Sequence, residues 1–351
     1  MHRMIDRRGF ARLVTLATAA STLSAAPATP VSRSVAKPIV KPKRLAEGDT
    51  VGLVLPASAV FEADRITLAK EQLEAIGLKV VIGPHAYDRH GYFAGRDRDR
   101  ADDINRMFAD DGVAGIICYT GGWGSPRVLP FLDYDLIARK PKVLVGYSDI
   151  TALLNAIHQR TGLITFHGPV ASSSLDPYSL DYFKRVLMSP EPVGVLGAPE
   201  KKPTELVDRN NRVLRLAPGK ATGRLAGGNL TLLATLMGTP YELETEGRIV
   251  FAEDVREELY RVDRMLTQLA LGGKFDRMAG FAFGRCSECN YNGPSFSLED
   301  ILRDRFGGGA KPAISGLSFG HIEQKLTIPV GAMATLDADA GTLTVDEGAV
   351  S

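Results

Sequence analysis

Three side chains in this sequence have the chemistry to hydrolyse an acyl bond together. Ser148 stands in GYSDIT, directly after the apolar run Val143 to Val145 and before the helix-like ITALLNAIHQ. A hydroxyl at a strand-to-helix turn is lifted clear of the sheet, and the first N–H groups of the new helix offer donors to whatever it attacks. Glu253 ends the strand-like run GRIVFAEDV, and His321 follows a glycine in LSFGHIEQKLTIPVG. A serine hydroxyl is a weak nucleophile at neutral pH and needs a base. Histidine titrates in the right range, and a carboxylate can orient its ring and stabilise the imidazolium.

Each residue also has a plainer reading. Serines begin helices as ordinary N-caps, and GYSDI lacks the second glycine of the G-x-S-x-G elbow. Glu253 could pair with Arg248, Arg256 or Arg261, and Asp254 is a rival acid, although strand alternation puts the two carboxylates on opposite faces. His321 could be a capped loop histidine. An acyl transfer further requires donors aimed at the developing oxyanion. The backbone N–H of Asp149 is one candidate, and the turn TGGWG after the strand-like GVAGIICY offers Gly121 or Gly122 as the second.

The ordered blocks that carry these residues resemble the LD-carboxypeptidases, serine peptidases that trim peptidoglycan peptides and include the microcin-immunity peptidases. The resemblance runs over most of the chain, through RLAEGDTVGLVLPAS, YFAGRDRDRADDINRMF, GGWGSPRVLPFLD, GYSDITALL, HGPV, GGNLTLLATLMGTP, GRIVFAEDVREELYRVDRMLTQL and GLSFGHIEQKLTIPVGAMATLD. It implies a catalytic triad of Ser148, Glu253 and His321, and so favours Glu253 over Asp254. Its implied substrate is a peptidoglycan tetrapeptide that loses its terminal D-alanine, with no metal or organic cofactor, and its implied assembly is a homodimer. Thr120 stands where the family leads us to expect arginine, and Trp123 where tyrosine is usual, so Trp123 marks a place where substrate grip differs. Asn229 in GGNLTLL reads first as a helix N-cap, and its substrate-facing role comes only from the resemblance. His167 in TFHGPV reads as a loop or wall residue rather than a base.

The elements that must position these residues alternate. TVGLVLPAS, LKVVIGPHA, GVAGIICYT, KVLVGYS and GLITFHGPV are short apolar runs separated by helix-like segments, which predicts an α/β fold with a largely parallel N-terminal sheet flanked by helices. Between about Pro190 and Pro218 proline, lysine and arginine accumulate. We therefore expect a nucleophile domain over 44–190, a linker over 191–218, and a second, smaller α/β domain over 219–351 with a mixed sheet that carries the acid and the base. The site should lie between them.

The formal net charge is +1, with 42 Lys and Arg against 41 Asp and Glu, which gives no basic excess to suggest nucleic acid. The leader differs from the rest. Arg7, Arg8 and Phe10 precede a short Ala/Leu/Thr/Val stretch and the small-residue site Ala26-Pro27-Ala28, as in a twin-arginine signal peptide over 1–28, followed by a spacer over 29–43. The expected location of the mature chain is therefore periplasmic or secreted, without stable membrane insertion. Cys286 and Cys289 form a C-x-x-C pair that could be a disulfide or two free thiols; no second pair completes a zinc set. Cys118 reads as a small buried hydrophobe. Two further functions fit parts of this pattern: a microcin-immunity-type peptidase acting on a peptidyl-nucleotide amide, and a periplasmic ligand-binding protein without chemistry.

Overall fold

The computed structural model describes residues 37–199, 206–207, 211–291 and 293–351. The expected leader over 1–28, and the spacer up to residue 36, lie outside the described residues. Among the described residues no helix is long and apolar enough to cross a membrane.

Two sheets face each other. The first has the order β12-β5-β4-β3-β1-β2, where β1 is Thr50–Val54, β2 Lys79–Ile82, β3 Gly115–Cys118, β4 Val143–Gly146, β5 Thr165–His167 and β12 Ile328–Val330. β1 to β5 are parallel, and β3 and β4 are buried at every position, as strands covered on both faces must be. β12 runs antiparallel to β5, with Ile328 opposite His167. The C-terminal part of the chain thus completes the edge of the N-terminal sheet.

The second sheet has the order β6-β14-β13-β8-β9-β10-β11-β7. Its parallel centre consists of β8 (Lys220–Asn229), β9 (Arg248–Val255), β10 (Gly280–Ser287) and β11 (Ala313–Ser315), and it is flanked by antiparallel β13 (Met333–Asp337) and β14 (Thr342–Val345). The stretch 191–218 supplies both edges, β6 (Gly194–Val195) and β7 (Leu214–Ala217).

Alternation along β9 explains how the sheets share a core. Ile249 and Phe251 face the apolar interior that contains the first sheet, whereas Val250 and Ala252 face the helices Leu259–Leu271 and Leu298–Phe306. The helix Thr151–Thr161 lies in the shared interior, and for that reason nearly all of its residues are buried, polar ones included. Its Asn155 exchanges hydrogen bonds with the backbone of Gly227, donating to the carbonyl at 2.8 Å and accepting from the N–H at 3.2 Å. Its Thr151 hydroxyl accepts from Asn229 N at 2.9 Å. Gly228 permits that approach, since a methyl there would run into Thr151. These contacts dock the end of β8 onto the helix that follows Ser148.

Candidate active site

Ser148 sits at the carboxyl end of β4, where open α/β sheets place their ligands. Tyr147 is extended, Ser148 has a φ of 63°, and a single 3-10 turn over Ser148–Ile150 leads into the buried helix. A left-handed backbone at a non-glycine residue costs of order 1 kcal/mol or more and marks a position fixed by its surroundings. Ile150, where the elbow pattern has its second glycine, is fully buried, and Gly146 leaves room for it, since a methyl there would lie 2.6 Å from Ile150 Cγ2.

Glu253 comes from the second sheet, and His321 from the segment that leads from it back to the first. Glu253 is fully buried near the end of β9, and its Oε2 lies 2.8 Å from His321 Nδ1. The other ring nitrogen of His321, Nε2, is 2.9 Å from Ser148 Oγ. His321 belongs to the irregular segment between β11 and β12, and its ring packs 4.9 Å from that of Tyr147. The arginines near Glu253 in sequence are engaged elsewhere: Arg256 with Glu288 at 2.9 Å, Arg261 with Glu257 at 4.0 Å and Arg248 with Glu244 at 3.8 Å. Asp254 turns to the other side and caps the helix Leu230–Thr235, accepting from Thr231 N and Thr231 Oγ1 at 3.0 Å each. Burial, with Glu253 beside it, raises the Asp254 pKa.

Gly121 packs directly against Ser148. A methyl in place of its hydrogen would lie 2.8 Å from Ser148 Cβ and 3.2 Å from Asp149 N. The N–H of Asp149 and the glycine turn therefore converge beside the serine, as an oxyanion site requires. Gly122, with a φ of 106°, packs against Ser58 in the same way, and Ser58 Oγ accepts from Trp123 N at 3.1 Å. The Asp149 carboxylate accepts from Ser125 N at 2.7 Å, and the Ser125 hydroxyl donates back to the Asp149 carbonyl. Burial raises the Asp149 pKa, and the N–H groups of Ser125 and Gly124 oppose that rise. Arg100, fully buried, donates to the carbonyls of Pro56 and Gly124 and so ties the loops after β1 and β3 together.

The weaker candidates take different places. Asn229 does cap its helix, with Oδ1 accepting from Leu232 N at 3.3 Å, but its amide faces the acids, at 2.9 Å from Asp254 Oδ1 and 3.4 Å from Glu253 Oε1. It supports Glu253 rather than lining the cleft. His167 is not a loop residue: it ends β5 and is 1% exposed, packed among Tyr147, Phe251 and Phe319. Neither ring nitrogen has a hydrogen-bond partner among the described residues, and burial pushes its pKa down to about 3, so it stands neutral behind the site. Trp123 is 66% exposed and meets the exposed Tyr92 edge-on at 6.2 Å. Ser58, Arg100, Ser125, Thr151 and Asn155 hold the site together yet gave no signal, because each acts through a backbone atom distant in sequence. Cys286 and Cys289 are joined in a disulfide, and Cys118 is buried with a free thiol.

The sequence matches the LD-carboxypeptidase N-terminal domain over residues 51–168 and the LD-carboxypeptidase C-terminal domain over residues 222–336. It is 39% identical over 316 residues to the probable murein peptide carboxypeptidase of Bacillus subtilis, covering 88% of this chain and 95% of that protein. Its fold is similar to that of the microcin C7 self-immunity protein MccF in the apo state, with a TM-score of 0.80 and 28% identity over 89% of this chain and all of the other. A muramoyltetrapeptide carboxypeptidase from Oxalobacter formigenes superposes with a TM-score of 0.71 at 28% identity, covering 85% of this chain and 98% of that one.

Proposed function

Since the chain belongs to the LD-carboxypeptidase family, we propose that it is a serine carboxypeptidase that releases terminal D-alanine from peptidoglycan tetrapeptides, with Ser148, His321 and Glu253 as its triad. The observation that carries this reading is the single imidazole bridging a serine at 2.9 Å and a buried carboxylate at 2.8 Å. In the proposed reaction His321 Nε2 accepts the proton as Ser148 Oγ attacks the carbonyl carbon. The oxyanion is held by the N–H of Asp149 and one from the 121–122 turn. Collapse breaks the C–N bond, His321 protonates the departing amine, and an acyl-serine remains. A water deprotonated by His321 then releases the shortened peptide and restores the hydroxyl. Glu253 keeps Nδ1 protonated and stabilises the imidazolium. The peptide substrate is supported by the murein and muramoyltetrapeptide carboxypeptidases to which the chain is similar.

The test is mass spectrometry of L-Ala-D-Glu-mDAP-D-Ala incubated with the protein and with Ser148→Ala. Release of D-alanine should fall by about 10⁴-fold or more in the variant, with the peptide still bound. Equal release by both would remove Ser148 from the mechanism. Binding without turnover by the unaltered protein would favour a ligand-binding function.

A second reading, cleavage of a peptidyl-nucleotide amide, is favoured by the TM-score of 0.80 to the microcin immunity protein, above the 0.71 to the tetrapeptide carboxypeptidase. The twin-arginine leader speaks against it, because a toxin with a cytoplasmic target would be out of reach of an exported enzyme. We infer export to the periplasm or beyond from that leader, and the Cys286–Cys289 disulfide supports an oxidising compartment. Cell fractionation with Arg7 and Arg8 replaced by lysine should leave the protein in the cytosol. The homodimer is proposed from the family alone, and light scattering tests it.

A further inference from the structure

Lys325 plays no part in the chemistry above, and its surroundings are unusual for a lysine. It lies four residues beyond His321 and is 7% exposed. Its ammonium stands 5.3 Å from the centre of the Tyr147 ring, the ring that precedes Ser148 in the chain and packs at 4.9 Å against His321. Its place is fixed from the first sheet's side: Lys325 N donates to Ser179 Oγ at 2.9 Å, and that oxygen lies 3.3 Å from the carbonyl of Glu323.

The carboxylates whose fields reach the ammonium are Asp176, Glu253 and Glu323, and among the described residues none is close enough to form an ion pair with it. Two of them are committed elsewhere. Asp176 caps the helix Pro177–Leu187, accepting from Tyr178 N at 2.9 Å and Ser179 Oγ at 2.6 Å. Glu253 holds His321. Glu323 is exposed to solvent. Burial depresses the Lys325 pKa, as expected of an ammonium that has lost water without gaining a bonded anion. An anion delivered to this spot would find a positioned cation already stripped of part of its hydration, which is how a recognition site gains from binding.

We propose that Lys325 is a specificity residue that receives the free carboxylate of the leaving residue. This deepens the carboxypeptidase reading and rests on it. A carboxypeptidase must distinguish a chain end from an internal bond, and the terminal carboxylate lies only one residue's length, about 3.8 Å between neighbouring Cα atoms, beyond the bond being cut. The Tyr147 ring that has the Lys325 ammonium 5.3 Å from its centre also packs at 4.9 Å against His321, which sets this cation on the side of the ring pair next to the reacting groups. Thr120, in the glycine turn, offers no charge for the purpose.

The experiment compares kcat/KM for L-Ala-D-Glu-mDAP-D-Ala and for the same peptide ending in a carboxamide, using the full protein, Lys325→Met and Lys325→Arg. The unaltered protein should prefer the free acid by about 10 to 100-fold, the range of a hydrogen bond to a charged group. Lys325→Met should lose that preference, mainly through KM on the acid, and leave the carboxamide within about threefold. Lys325→Arg should restore part of it. A lysine that merely supports Glu253 or the loop would slow both substrates alike, and that result overturns the proposal, as does an unaltered protein that accepts both ends equally. Should the unaltered protein release no D-alanine, the function reading falls by itself. Equilibrium binding of the two peptides to Ser148→Ala, with and without Lys325→Met, then decides the lysine: a preference for the acid that the methionine abolishes supports it, and no preference refutes it. If Lys325→Met fails to fold, Lys325→Gln takes its place.

Discussion

Ser148 and His321 are fastened by opposite means. Ser148 is held in a strained backbone conformation between a buried strand and a buried helix, and the loops around it are pinned by Asp149 to Ser125, by Arg100 to Pro56 and Gly124, and by Ser58 to Trp123. His321 lies in a segment without helix or strand, and its ring is oriented by groups from elsewhere: Glu253 on β9, and Tyr147 and Ser148 across the gap between the sheets. The serine half is thus built by its own sheet, whereas the base half exists only once the sheets have docked. Damage to the first should appear in catalysis with the fold intact, and damage to the docking should appear in both.

After the loss of Ser148 itself, the largest expected effect strikes the hold on His321. Glu253→Gln keeps the shape of the side chain but removes the charge that favours protonated Nδ1, and kcat should fall by about 10³ to 10⁴-fold. Single-turnover assays would show the loss in acylation, while the thermal midpoint stays near that of the parent. A loss below tenfold would mean that Asp254, Asn229 or water orients His321 instead. Next comes the serine half. Gly121→Ala pushes a methyl against Ser148 Cβ and Asp149 N and should cost about 10²-fold in kcat, the value of one oxyanion donor, with KM little changed. Unchanged turnover would place the oxyanion elsewhere.

Docking itself is tested by Asn155→Ala, which strands the buried N–H and carbonyl of Gly227. We expect about 2 to 3 kcal/mol less stability in urea, together with a drop in kcat of roughly tenfold as β8, Asn229 and Glu253 shift. Stability lost with full activity would show that the base half does not depend on this seam. Changing pH acts on the same interior without touching catalysis directly. His158, whose Nε2 accepts from Arg248, is pushed down to about 4 by burial and that arginine, and His167 to about 3 by burial. As pH falls below 6.5 the unfolded chain takes up protons that these native imidazoles refuse, so stability should decline by about 2 kcal/mol per histidine between pH 7 and pH 5. Asp103, raised to about 6 by burial, pulls the other way over that window because its native carboxyl gains a proton first, and Asp149, Asp254 and Glu257, also raised by burial, act in the same direction. His167→Leu should flatten the slope measured by urea titration.

The comparison also explains what was legible in the sequence. A buried parallel strand is a continuous apolar run, so the turn that carries Ser148 could be found from Val143 to Val145 and the helix beyond. The opposite faces of Glu253 and Asp254 follow from strand alternation, and the cap at Asn229 from its position before LTLL. The base was legible only through family resemblance, because nothing local in GHIEQK requires that ring to meet a serine 173 positions away. Arg100 reads as one more charge in DRDRADD, yet it is fully buried. Gly228 is explained by Thr151, far earlier in the chain, and Gly227 by the backbone of Phe251 on β9, which a methyl there would overlap. The edge strands drawn from 191–218 are too short to stand out from the prolines around them.

β12 has a consequence for the timing of synthesis. The sheet that carries the nucleophile borrows its last strand from Ile328–Val330, so the outer edge of β5 stays open on the ribosome until residue 330 has been made, and His321 arrives only shortly before. A nascent chain can assemble the serine elbow early, but it has neither a base nor a closed sheet. Activity at this site therefore waits for residue 330, and a chain terminated before it would be both inert and exposed along one strand.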